Sequence, residues 1–295
     1  MKVYAPAKLN IYLEVLYKRP DGYHELRTLM TPIALCDEIE LEPLARGIEL
    51  EESGSGCEVE ENLAYRAARL FFETTANTRG VRIKLAKHIP TGAGLGGGSS
   101  DAAHVLMAMN ALFHANLSLA VLSDMAGRLG ADCPFFVHGR TAFMGERGDR
   151  VLADVQLEER SYLLVIPPIA VSTSQVYGNL KISLTQARDH STIDTIVEKR
   201  VAPEKILMNT LEAVAFKLHP ELAAIKEDLL LSGALGALMS GSGSTVFGVY
   251  QDQEHLQRGM ERLSRHEGYQ YIPTTRMTGG LHGDYRSKGI SGTEQ

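Results

Sequence analysis

Five of the ten residues from Thr91 to Ser100 are glycine, and the run Thr91-Gly92-Ala93-Gly94-Leu95-Gly96-Gly97-Gly98-Ser99-Ser100 opens onto the apolar stretch Asp101 to Phe113. Val81 to Ala86 ahead of it has the pattern of a strand and Asp101 to Phe113 that of a helix, so the context is strand, loop, helix. Glycines let successive amide N–H groups converge, and a helix N-terminus adds partial positive charge, which makes phosphate the natural ligand. Three familiar phosphate loops do not fit. Gly92, Gly94 and Gly97 formally match G-x-G-x-x-G, but a dinucleotide fold wants an acidic residue about twenty positions on, and His114 to Val121 offers none. A Walker A loop needs a lysine before its final Ser or Thr, and here Ser99-Ser100 follow glycine directly. A protein-kinase loop should be followed by H-R-D and D-F-G, which are absent.

The chain has 295 residues, enough for two domains or one large one, and its 44% hydrophobic and 22% charged composition excludes disordered and collagen-like chains. A net charge of -6 argues against broad nucleic-acid binding, so an anionic ligand must be held locally. Cys36, Cys57 and Cys133 lack metal or redox spacing and read as buried small hydrophobes in a reducing compartment. Met1 to Leu13 has no apolar signal region, and no stretch reaches the roughly 18 apolar residues of a membrane span. The expected location is cytoplasmic, with no membrane or nucleic-acid partner.

Along the chain, Lys8, Asn10, Tyr12 and Glu14 alternate with Leu9, Ile11, Leu13 and Val15, the pattern of a strand with one buried face that puts Lys8 and Asn10 on the same side. Pro20-Asp21-Gly22 reverses the chain just before Tyr23 and His24. Asp37 to Leu44 and Gly47 to Glu51 read as short antiparallel strands, Asn62 to Thr74 and Leu117 to Leu129 as helices, and Phe135 to Val137 as the start of a buried strand after the turn Asp132-Cys133-Pro134. A boundary is expected near Asp154 to Arg160. It is followed by a strand at Tyr162 to Ile166, a polar segment at Lys181 to Glu198, helices at Pro203 to Leu218 and Ala223 to Leu231, a strand at Thr245 to Tyr250, a helix at Gln253 to Arg265, and a strand at Tyr269 to Thr274. Residues 281–295, Gly/Ser-rich and polar, read as a disordered tail.

Three segments in order, Ala5-Pro6-Ala7-Lys8-Leu9-Asn10, Pro90 through Ala103, and Met239-Ser240-Gly241-Ser242-Gly243-Ser244, resemble the motifs of the GHMP small-molecule kinases. Lys18 through Leu26, the triple glycine before Ser99-Ser100, and Leu129 through Phe136 are similar to the branch that phosphorylates the 2-hydroxyl of 4-diphosphocytidyl-2-C-methylerythritol in isoprenoid precursor synthesis. The resemblance spans residues 1 to about 280. It implies a two-domain α/β (α+β) fold. Residues 1–157 would form a ribosomal-S5-domain-2-like ATP-binding half, residues 158–280 a ferredoxin-like split βαβ half, and the cleft between them the active site. It implies ATP and Mg²⁺ as cofactors, with the metal's ligands unassigned, a small-molecule substrate, and a monomer or homodimer.

The resemblance also implies residue roles. Asp132 would take the hydroxyl proton, and Lys8 beside it would keep it ionised and stabilise charge at the transferring group. Pro90, Gly92, Ala93, Gly94, Leu95, Gly96, Gly97, Gly98, Ser99 and Ser100 would hold phosphate, with Asn62 and Lys87 on the adenine side. Asn10 and Thr173 would bond substrate, His24 would bond the cytosine, and Tyr23 and Tyr177 would sandwich it. Taken alone, Asp132 reads as a turn or cap aspartate and Lys87 as a solvated loop charge. Asp149, in Gly145-Glu146-Arg147-Gly148-Asp149, replaces the family's usual glutamate, and Cys133 replaces an aliphatic residue; neither is expected to touch the chemistry. Other acceptors such as mevalonate, homoserine or a sugar, and a non-catalytic nucleotide-binding protein, remain alternatives at this point.

Overall fold

The computed structural model describes residues 1–54, 56–180 and 200–277. Lys181 to Glu198 and residues 281–295, for which mobility and disorder are expected, lie outside the described residues.

Among the described residues the first half is built on a seven-stranded sheet. Its centre is the long antiparallel pair β1 (Lys2–Lys18) and β2 (His24–Leu44), joined by the Asp-Gly turn. The strands β3 (Ile48–Ser53) and β4 (Gly80–Ala86) extend it beyond β2. A hairpin, β5 (Ala142–Gly145) and β6 (Arg150–Asp154), pairs with the first part of β2. Two expectations are corrected here. β2 starts at His24 rather than Asp37, and β3 runs parallel to β4 instead of forming a hairpin with β2, because the 13-residue helix α1 (Leu63–Thr75) carries the chain between them.

Four helices belong to this half. Asn62 caps α1 by accepting from the Ala64 amide at 2.9 Å. The helix α2 (Gly97–Leu112) starts after Gly96, which lies in the left-handed region at φ +72°. Its residues Ser100 to Met109 are all buried, so it is the central helix of the half. The helix α3 (Leu119–Gly127) is capped by Ser118. Cys133–His138 forms a short helix, α4, where a buried strand was expected. Pro134 in its first turn and Gly139 at its C-cap are helix start and stop signals that outweigh the short apolar run Phe135-Phe136-Val137.

The second half begins with β7 (Ser161–Ile166) and α5 (Thr173–Gly178). After a 3₁₀ turn at Pro203–Lys205 and a two-residue strand β8 (Met208–Asn209), the helices α6 (Glu212–Leu218) and α7 (Pro220–Leu231) lead to β9 (Gly236–Met239) and β10 (Val246–Tyr250). The helix α8 (Gln253–Arg262) and β11 (Gln270–Thr275) complete it. The single helix expected over Pro203 to Leu218 is thus interrupted by β8. The antiparallel sheet order β11-β7-β10-β9 is the ferredoxin-like split βαβ arrangement.

The halves are sewn together. β8 pairs in parallel with β1, joining the first sheet from beyond residue 158. One hydrophobic cluster draws on both sheets: Leu9 and Ile11 from β1 and Phe143 from β5 meet Tyr162, Leu164 and Phe247. Each such aliphatic side chain contributes roughly 1.5–3 kcal/mol by leaving water. β1 is therefore buried on both faces rather than on one. Its odd-numbered residues here enter the inter-sheet core, while Lys8 and Asn10, each 3% exposed, face the glycine loop. The shifts of register at Pro6/Ala7 and Asn10/Tyr12 are bulges, which re-aim side chains next to sites. Of the cysteines, Cys133 is buried, Cys36 is partly covered, and Cys57 is exposed in the loop ahead of α1, contrary to expectation.

Candidate active site

The glycine loop is held by its carbonyl groups. Ala93 O accepts from the Thr245 amide at 3.1 Å and the Thr245 hydroxyl at 2.6 Å. Gly94 O accepts from Lys8 Nζ at 2.8 Å and Ser240 Oγ at 3.0 Å, and Leu95 O from the Lys8 amide at 2.9 Å. With these oxygens turned toward β1 and the 240–245 turn, the first-turn amides of α2 have no intrahelical acceptor, and no side chain caps them at Gly96. A run of free N–H groups at the positive end of a 16-residue helix suits the phosphates of a nucleotide.

Two cavities meet at this loop. One, of about 1090 Å³, is lined by Lys8, Asn10, Tyr23, His24, Gly92, Gly94, Gly96, Ser99, Asp132, Thr173 and Tyr177, every one of them a residue expected from sequence to act. The other, of about 330 Å³, lies on the loop's far side and is lined by Asn62, Lys87, Pro90 and the loop from Gly92 to Ser99, with Asp101. Ser100 lines neither. It is fully buried, and its carbonyl oxygen lies 2.8 Å from His104 Nδ1.

Lys8 and Asp132, 124 positions apart in the chain, come within 3.9 Å at Nζ and Oδ2. Lys8 is 3% exposed and Asp132 38%. The lysine ammonium donates to Asn10 Oδ1 and to Gly94 O, which aims its remaining donor toward Asp132. Burial lowers the Lys8 pKa, while the Asp132 charge pulls the other way. Asp132 stands at the N-cap of α4, yet its backbone is αR and its carboxylate caps nothing. Helix α4, not a strand, follows it. A capping role would have consumed an oxygen; here the carboxylate stays available to accept a proton. Asn10, expected to bond substrate, spends its amide nitrogen on Thr28 Oγ1 at 2.8 Å and its oxygen on Lys8, so it fixes the lysine.

At the other end of the larger cavity, the His24 and Tyr177 rings pack with centroids 5.1 Å apart at 33°. Tyr177 therefore lies on His24, a different pairing from the expected Tyr23–Tyr177 sandwich. Tyr23 is exposed, with the Arg147 guanidinium 5.1 Å from its ring centroid. Burial, then the nearby Lys18 charge, lowers the His24 pKa, so the imidazole is neutral at pH 7 with one nitrogen donating and one accepting. Thr173 Oγ1 lies 2.8 Å from Ser242 Oγ, linking α5 to the 240–245 turn.

Lys87 is no solvated charge. Its ammonium pairs with Asp37 and, at 2.6 Å, with Asp101 Oδ2. Asp37 Oδ1 also accepts from the His88 and Ile89 amides at 2.5 and 2.8 Å, which ties the entry of the glycine loop to β2. Burial pushes the Asp101 carboxyl up to about 7 against the pull of Lys87, with Asp37 adding to the rise. Asn62 caps α1 and donates to Glu52 Oε2 at 2.6 Å. Asn62 and Lys87 thus shape the smaller cavity largely through protein contacts.

Sequence reasoning missed Asp37, Asp101, Lys18 and Arg147. It also judged the Gly145–Asp149 departure remote from the chemistry. In fact Arg147 and Gly148 line the larger cavity, and a Cβ placed on Gly148 would lie 4.0 Å from Asp132 Oδ1. The signal available was the arginine between two glycine-flanked acids. Cys133, the other departure, is an inert buried thiol that burial pushes up to about 12. Among the described residues no three His, Cys, Asp or Glu side chains converge to hold a metal.

Residues 62–140 match the family described as GHMP kinases N terminal domain and residues 192–269 that described as GHMP kinases C terminal. A 4-diphosphocytidyl-2-C-methyl-D-erythritol kinase of Syntrophus aciditrophicus is 42% identical over 255 residues, 86% of this chain and 91% of the relative. One of Geobacillus thermodenitrificans is 41% identical over 263 residues, 88% and 91% of the two chains. The crystal structure of a 4-(cytidine 5'-diphospho)-2C-methyl-D-erythritol kinase superposes with a TM-score of 0.80 at 38% identity, covering 95% of this chain and all of the other. A homoserine kinase from Cytophaga hutchinsonii shares the fold, with a TM-score of 0.73 at 19% identity over 96% of each chain.

Proposed function

The chain belongs to the GHMP kinases and, within them, to the 4-diphosphocytidyl-2-C-methyl-D-erythritol kinases, and from that premise we propose that it transfers the γ-phosphoryl group of ATP to the 2-hydroxyl of 4-diphosphocytidyl-2-C-methyl-D-erythritol. The observation that carries the reading is the Lys8–Asp132 pair, 3.9 Å apart on the wall of one cavity with the glycine loop. ATP, when bound, supplies the phosphoryl group, and Mg²⁺ neutralises charge on the phosphates. The residues present fit the nucleotide, whose polyphosphate the free amides at the start of α2 suit.

Each side chain then has a defined task. Asp132, with no hydrogen bond to satisfy in α4, accepts the proton of the attacking hydroxyl. Lys8, fixed by Asn10 and Gly94 O and 3.9 Å from that carboxylate, stabilises negative charge at the phosphoryl oxygens. The glycine loop cradles the phosphates, with Pro90, Asn62 and Lys87 shaping the adenine side. Neutral His24 hydrogen-bonds the cytosine, Tyr23 and the Tyr177–His24 pair supply ring faces, and Thr173 contacts the substrate. We take residues 1–157 as the nucleotide half and 158–280 as the substrate-side half of a cytoplasmic monomer or homodimer. No helix among the described residues is long and apolar enough to cross a membrane.

A base subsite separates this substrate from mevalonate, homoserine or a sugar, which carry no cytosine. ADP release measured with each acceptor is expected only with the cytidyl substrate. Equal or faster turnover of mevalonate or homoserine would overturn the substrate assignment, and no turnover with any acceptor would leave a nucleotide-binding protein.

A further inference from the structure

The reading above leaves one part of the substrate without a partner: the diphosphate that joins cytidine to the alcohol. It must lie between the Tyr23–His24 end of the cavity and Asp132. The turn between β5 and β6 spans that interval, with Arg147 over the Tyr23 ring and Gly148 beside Asp132. Arg147 is held there on two sides. Its Nε and Nη2 donate to Asp149 Oδ2 at 2.9 and 2.5 Å, and its guanidinium sits 5.1 Å from the Tyr23 ring centroid. The short Asp149 side chain, where the family usually carries glutamate, reaches back two residues to make this grip.

We propose that Arg147 is a substrate-binding residue, its guanidinium forming the anion subsite for the diphosphate of the cytidyl substrate; this rests on the cytidyl reading of the cavity. One-third of the side chain remains exposed, and Nη1 makes no hydrogen bond among the described residues, so a donor is left for a phosphate oxygen. Lys18 lines the same cavity and carries no ion pair among the described residues, which gives the diphosphate a second cation. Lys8, the third cation on the wall, is already committed to Asn10, Gly94 O and Asp132. Asp21, Glu25 and Glu146 are acidic neighbours of this end, and each pairs with Arg19. An arginine suits the task because its planar fork can stack on a ring and still donate in its own plane, whereas an ammonium cannot.

The test is titration calorimetry of the full chain with cytidine and with CDP, in wild type, Arg147→Met and Arg147→Lys. Wild type should bind CDP at least about tenfold more tightly than cytidine, in line with a charge-assisted contact. Arg147→Met should lose most of that preference while its cytidine affinity stays within about threefold, and Arg147→Lys should fall between. CDP binding by wild type should also weaken more steeply with salt than CDP binding by Arg147→Met. The proposal is overturned if Arg147→Met weakens cytidine and CDP equally, since the residue would then act only through Tyr23 or the fold. It is overturned too if the variant keeps the full preference for CDP. Wild type binding neither ligand would instead remove the cytidyl reading itself, and the inference with it.

Discussion

Replacing Gly94 by alanine tests whether the glycine loop depends on backbone contact with the 240–245 turn. Gly94 has φ +76°, and a Cβ there would overlap the Ser240 carbonyl oxygen and lie 2.8 Å from the Gly243 carbonyl oxygen. Both neighbours are backbone, so neither can swing aside. Gly92 has a similar φ of +71° but nothing within 4 Å of its Cβ position. The left-handed conformation costs an L-residue about 1–2 kcal/mol at either position. Overpacking against fixed backbone adds about 1–3 kcal/mol at Gly94 alone, so Gly94→Ala should lose ~2–5 kcal/mol and Gly92→Ala ~1–2. Urea unfolding midpoints of the two variants measure the difference. The Gly94 carbonyl also holds Lys8 Nζ and Ser240 Oγ, so Gly94→Ala should lose turnover as the lysine shifts. A Gly94→Ala protein no less stable than Gly92→Ala, with full turnover, would refute the argument.

Two further outcomes are expected. Asp132→Asn should lower kcat by at least about a hundredfold while the KM for ATP changes by less than about threefold, as steady-state kinetics would show; near-normal turnover removes Asp132 from proton transfer. Asp101, ordinarily titrating at 3.8 and pushed up to about 7 by burial, binds a proton in the folded protein that the unfolded chain has already lost between those values, so its contribution makes stability fall as pH rises through that window. Asp101→Asn should therefore flatten the change in urea midpoint between pH 5 and pH 7.5, and identical slopes in the two proteins would contradict the assignment.

The glycine loop is legible from its own pattern, glycines set between a strand and a helix, whereas the roles of Lys8, Asn10 and Asp132 are legible only through the resemblance of their segments to the family motifs, Asp132 taken alone reading as a turn aspartate. What was not legible depends on partners remote in sequence. The alternation from Lys8 to Val15 predicts one buried face, and the strand is buried on both because the turn that covers Lys8 and Asn10 starts at Ser240, whose hydroxyl lies 3.3 Å from the Asn10 amide. Lys87 read as solvated because nothing local shows that Asp37, fifty residues earlier, meets it under the loop. The α4 segment was misread for another reason. A run as short as Phe135-Phe136-Val137 has no period that tells strand from helix, so Pro134 and Gly139 were the better guides. Arg147 was overlooked because its importance lies in what the Asp149 carboxylate does to its orientation, and a residue-by-residue reading does not contain that.

Met208 and Asn209, the two residues of β8, lie against β1, and Asn209 Nδ2 donates to Met239 O at 2.8 Å and Gly241 O at 2.7 Å. The amino-terminal sheet is thus finished by material translated long after the rest of it. A nascent chain emerging from the ribosome carries an open flank on its first strand until residue 209 is out, and a fragment cut at residue 157 would keep that flank for good. Splitting the gene at the apparent midpoint should yield two pieces that need each other during biosynthesis.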